Sequence, residues 1–186
     1  KVGIHKRDIM VDRVEEAKES QQEAQAQFTS ALAEMTALIH FDGGELKVQY
    51  QVIKEQYEAS KEAADLVSLR IEKIEDVSGA LFDEWQAEID QISSANLKRQ
   101  SLAKLKATQR RYKTLITSMY TAEGKMAPVL TALKDNTLFL KHNLNAQAVG
   151  ALQGEMVSIE KNVSILLKEM NAAIIQSQKF IDMLEK

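Results

Sequence analysis

Apolar side chains recur along this chain at alternating steps of four and three. From Leu46 the series runs Tyr50, Ile53, Tyr57, Ala64, Val67, Ile71, Ile74, Leu81, Trp85 and Ile92, with Ser60, Ser78 and Glu88 at the interrupted places. A mean spacing of about 3.5 residues holds one stripe of an α-helix toward a partner, which is the condition for coiled-coil packing. The same rhythm covers three other stretches. Met10, Val14, Ala17, Ala24, Phe28, Ala31, Met35 and Leu38 form the first, with Gln21 as its polar exception. Leu102, Leu105, Tyr112, Ile116, Met119, Met126, Leu130, Leu133, Leu140 and Leu144 form the third, and Val149 through Met156, Val163, Met170, Phe180 and Leu184 the fourth.

The pattern predicts helices over about 7–39, 45–92, 97–143 and 146–185, joined by short turns. At the first turn Asp42 stands three residues before Glu45, the spacing of a capping box, and Phe41 and Leu46 stand at hydrophobic-staple spacing. The second turn, Ser93-Ser94-Ala95-Asn96, offers several caps, of which Asn96 is preferred, and Asn145 is the expected cap of the last helix. Pro128 should kink the third helix rather than end it, because the apolar phase continues on both sides. Short turns force successive helices to run antiparallel. The predicted fold is all-α: an elongated, up-down, four-helix coiled-coil bundle forming one domain over 1–186, with a three-helix bundle carrying a swapped or detached terminal helix as the alternative.

Composition narrows the picture. One proline and seven glycines are too few for a loop-rich β fold, and cysteine is absent, which excludes disulfides and thiolate chemistry. A formal charge of −3 gives no overall pull toward nucleic acid. No apolar run has the roughly 20 residues needed to span a bilayer. The chain opens at Lys1 rather than Met, which predicts a segment upstream of it.

Candidate chemistry is sparse, and no enzyme or cofactor is predicted. None of His5, His40 and His142 has an acidic residue three positions before it, so the inward Glu-x-x-His pairs of di-iron bundles are missing. His40 and His142 fall near turns at one end of the expected bundle, where a bridging metal is conceivable, although turn histidines are commonly just solvent-facing. Glu123 falls on the expected stripe of the third helix, as do Gln109 and Thr137. A buried carboxyl would be a proton-handling candidate, while three polar residues fourteen apart also suit register-setting.

One charge pattern stands out: Lys98, Arg99, Lys104, Lys106, Arg110, Arg111 and Lys113 form a run of seven cations without an acid. It reads either as a patch for anionic lipid or another polyanion, or as the partner of Glu72, Glu75, Asp76, Asp83, Glu84, Glu88 and Asp90 across the hairpin, and pairing is the favoured reading. Trp85 falls either in the core or, where the neighbouring helices stop short, as an exposed anchor; unequal helix lengths predict that the hairpin overhangs its neighbours, leaving Trp85, Lys98, Arg99, Lys104 and Lys106 as a candidate interaction surface.

Four stretches carry a family resemblance: Lys1–Asp8, Phe41–Leu46, Leu81–Trp85 and Leu138–Ala146. Across essentially its whole length the chain resembles a family of Gram-negative bacterial proteins known only as a domain of unknown function. The resemblance implies a signal peptide ending in a lipoprotein-type cysteine shortly before Lys1, hence a lipid-anchored, periplasmic protein of the cell envelope. It supplies no catalytic or ligand residues. The functional expectation is a non-catalytic envelope lipoprotein acting as a helical spacer or protein-interaction scaffold, with a membrane-binding or membrane-shaping module, a homodimer included, as the alternative.

Overall fold

Each apolar stripe becomes one long helix. The computed structural model describes residues 2–41 and 43–186, with side chains from His5 onward. In it α1 spans Val2–Ile39, α2 Leu46–Asp90, α3 Ala95–His142 and α4 Ala146–Glu185. α1 packs on α2 and α4, and α3 packs on the same two; the diagonal pairs make no close backbone approach. This closed ring is a four-helix bundle, with α1 and α4 of the same chain sharing the core, so neither terminal helix is swapped or detached.

Cross-helix hydrogen bonds fix the directions. Gln27 donates to Gln56 Oε1 at 2.9 Å while Arg70 reaches back to Glu16 at 2.9 Å, so α2 descends as α1 rises. Likewise Gln153 donates to the Ile39 carbonyl at 2.8 Å and Lys18 to Gln178 at 2.8 Å, which sets α4 antiparallel to α1. The turn between α2 and α3 therefore shares one pole, called here the hairpin pole, with the start of α1 and the end of α4. The other two turns form the distal pole.

The core runs the length of the ring. Phe28, Phe180, Met10, Met35, Leu38 and Ile71 are among its largest fully buried side chains, and Ser60, Ser78 and Ser177 fill heptad places that would otherwise hold a larger apolar group. Two local registers differ from the pattern read above. In α3 the inward series is Leu105, Thr108, Leu115, Met119, Ala122, Met126, Val129, Leu133, Asn136 and Leu140, alternating three-then-four instead of four-then-three, with Thr137 buried beside Asn136. Ala122 is buried and Glu123 only half-buried, because the helix that hides an alanine avoids desolvating a carboxylate. Of the fourteen-residue polar series, Gln109 is exposed and Glu123 half-buried, while Thr137 is buried. At the end of α2 the buried residue after Trp85 is Ile89, with Glu88 exposed and Ile92 half-buried.

The turns show which caps form. Ser94, not Asn96, caps α3: its extended backbone lets Oγ accept from the Leu97 amide at 3.3 Å, while Asn96 Oδ1 accepts from Arg99 at 3.1 Å. Asn145 caps α4, accepting from the Ala148 amide at 3.0 Å. The expected cap Asp42 lies outside the described residues; the N-cap position of α2 is Glu45, whose side chain makes no capping bond. Gly43 and Gly44 have φ of 83° and 124°, conformations L side chains rarely adopt, and a Cβ on Gly44 would meet the Phe41 ring at 3.1 Å. The α3 helix continues through Pro128 without a stop.

Candidate functional site

At the hairpin pole the small core of Trp85, Ile89 and Leu105, flanked by Phe82 and Leu102, forms a cluster apart from the main one. Trp85 is 9% exposed. Its indole nitrogen donates to Ser101 Oγ at 3.4 Å, and the Arg7 guanidinium lies over the ring, 4.9 Å from its centroid. Lys6 pairs with Glu84 at 2.6 Å beside it. Of the two places open to Trp85, the structure shows the core and not the exposed anchor. The first helix starts at Val2 rather than near Arg7, and that extra turn brings two cations onto the end of α2.

The remaining candidates stay on the surface. Lys98 is half-buried, and Arg99, Lys104, Lys106, Arg110, Arg111 and Lys113 are exposed. Among the described residues none of these seven forms an ion pair with a carboxylate; the ion pairs are Lys6–Glu84, Arg13–Glu16, Lys18–Glu15 and Arg70–Glu16. The favoured pairing across the hairpin is therefore not what closes it.

Aromatic and hydroxyl groups close it instead. Phe82 and Tyr112 meet edge to face with centroids 5.5 Å apart, and Tyr112 also lies 6.4 Å from Phe180. Burial raises the Tyr112 pKa, an effect its hydrogen bond with Ser78 opposes. Tyr120 donates to Glu75 Oε1, and that bond, with some burial and the nearby carboxylate charges, pushes its pKa up to about 12. These contacts occupy the flank where charge pairs were expected.

Elsewhere the surface carries open grooves. One, of about 520 Å³, lies between α3 and α4 near Pro128, Phe139, Leu152 and Glu155. Asn136 borders it, but its amide is engaged by the Ala132 carbonyl at 2.7 Å. His40, in the turn after α1, and His142, at the end of α3, are both exposed at the distal pole. Among the described residues no three His, Asp or Glu side chains are grouped to hold a metal ion, and no helix is long and apolar enough to cross a membrane.

Sequence reasoning missed one buried polar group in kind. Gln21 is 0% exposed, and neither its amide nitrogen nor its oxygen has a hydrogen-bond partner in the protein. It was visible as an interruption of the α1 stripe, but nothing local reveals that its partners are missing.

Comparison with known proteins places the chain. The family model described as Protein of unknown function (DUF2959) matches residues 1–184, and the chain belongs to that family. No curated protein matches it in sequence.

Proposed function

We propose that this family member is a non-catalytic envelope lipoprotein of a Gram-negative bacterium, whose helical rod serves as a spacer and protein-interaction scaffold. The observation that supports this reading is the continuity of the core over helices of 45 and 48 residues, about 70 Å at a rise of 1.5 Å per residue. The apolar stripes are buried against one another, so what the rod offers is length and surface. The resemblance supplies the location: an anchor just upstream of Lys1 would join the bundle at the hairpin pole and leave the distal pole projecting.

Two measurements test it. The natural full-length protein should fractionate with membranes and leave them only with detergent; recovery in the cytosol sinks the envelope location. A photo-crosslinking side chain at exposed positions such as Asp83, Lys106 and Val157, with buried Leu166 as control, should capture defined proteins from one face of the rod. Absence of products at every exposed position counts against the scaffold.

A second reading, membrane binding by the basic hairpin end, is favoured by the seven cations being unpaired. Flotation with vesicles of anionic lipid, using charge-reversed Arg99 and Lys106 as control, would discard it if neither protein bound.

A further inference from the structure

Two charged rows stand at the hairpin pole, and among the described residues neither takes part in an ion pair. On α2, Asp76, Asp83 and Asp90 recur every seven residues on the exposed side, opposite the buried Ile74, Ser78, Leu81 and Trp85. On α3, Lys106 and Lys113 recur in the same way, with Arg110 between them, all exposed on a helix whose buried residues include Thr108 and Leu115. The contacts Trp85–Ser101 and Tyr120–Glu75 hold the two helices in a register that sets the rows side by side. All six side chains are exposed, and among the described residues none of them forms an ion pair.

We propose that this pole docks a second copy of the chain, the basic row of α3 in each copy lying on the acidic row of α2 in the other. This deepens the scaffold reading by naming one partner. The carrying observation is that the surface is complementary to itself. A two-fold axis between α2 and α3 brings opposite signs together twice over, which is how an isologous dimer is built. Between residues 70 and 113 the chain carries nine cations and seven acids, so the pole as a whole is nearly neutral. A uniformly anionic bilayer would attract one row and repel the other, whereas a second copy satisfies both. Exposed ion pairs contribute little singly, so the association is weak, fast and salt-sensitive.

Charge-swapped variants decide the matter. Sedimentation of the whole chain should show a dimer at about 0.05 M salt and a monomer near 1 M, as the Debye length shrinks from over 10 Å to about 3 Å. Lys106→Glu with Arg110→Glu should be monomeric, and so should Asp76→Lys with Asp83→Lys, each with unchanged helical circular dichroism. Mixed in equal amounts, the two variants should recover the dimer, because the reversed rows again match. A wild-type chain that stays monomeric at low salt overturns the proposal, and so does a mixture that stays dissociated. Binding to phosphatidylglycerol vesicles that only the lysine-arginine reversal abolishes, with no dimer at any salt, overturns it in favour of a membrane. Should a variant lose helicity, the salt titration of the wild type stands alone as the test. A monomeric result leaves the scaffold reading to its own crosslinking experiment.

Discussion

At the scale of single residues, the least comfortable position is Gln21. A buried carboxamide without partners keeps the desolvation penalty and gains nothing in return, at a cost of about 1–3 kcal/mol. Gln21→Leu removes that penalty at similar size, so the urea midpoint should rise; a fall would mean the amide has a role in setting register. Tyr120 makes a pH-dependent contribution. Its neutral hydroxyl donates to Glu75 and its pKa is raised from 10.0 to about 12, so the bond is intact below pH 10 and lost as pH climbs toward 12. Because the residue is 43% exposed, the contribution should be about 0.5 kcal/mol or less. The melting difference between the wild type and Tyr120→Phe should accordingly be small and constant at neutral pH and vanish in that alkaline window.

At the scale of helices, backbone propensity leaves room for improvement. Gly79, Gly124, Gly150 and Gly154 lie inside helices with open space where a Cβ would go. Each change to Ala should stabilise by about 0.5–1 kcal/mol. Pro128→Ala should add more, up to about 3 kcal/mol, by restoring a backbone donor toward Gly124; thermal melts of the single variants check both. The existence, number and direction of the helices were legible because the apolar period is long and unbroken. The exact seam of α3 was not. Leu115 and Ile116 are both apolar, as are Val129 and Leu130, so either alternation satisfies them, and the contrasts of Ala122 with Glu123 and of Thr108 with Gln109 decide it. The state of Trp85 was illegible for another reason: what covers it arrives from α1, some eighty residues away, and the start of that helix has no capping signal to mark it.

At the scale of the whole molecule, the rod makes a dimensional prediction. Small-angle scattering at high salt, where single copies are expected, should give a longest dimension of about 70–80 Å, set by α3 at 1.5 Å per residue; a markedly shorter, rounder particle would mean that the helices fold back on themselves. The candidate surface was half legible from sequence. The cationic run and its acidic counterpart were plain, but whether they would face each other depends on helix rotation, which composition does not encode. A final consequence follows from where the strand of chain enters and leaves. The start of α1 lies beside Glu84 and Trp85, and Met183 near the end of α4 lies beside Arg110, so the outer ends of these two helices share the hairpin pole. A pull between them would part α1 from α4 turn by turn, as a zip opens from its end, without sliding the helices along their length. Such an object bears compression and leaning far better than traction through its own ends; mechanically it is a post and not a cable.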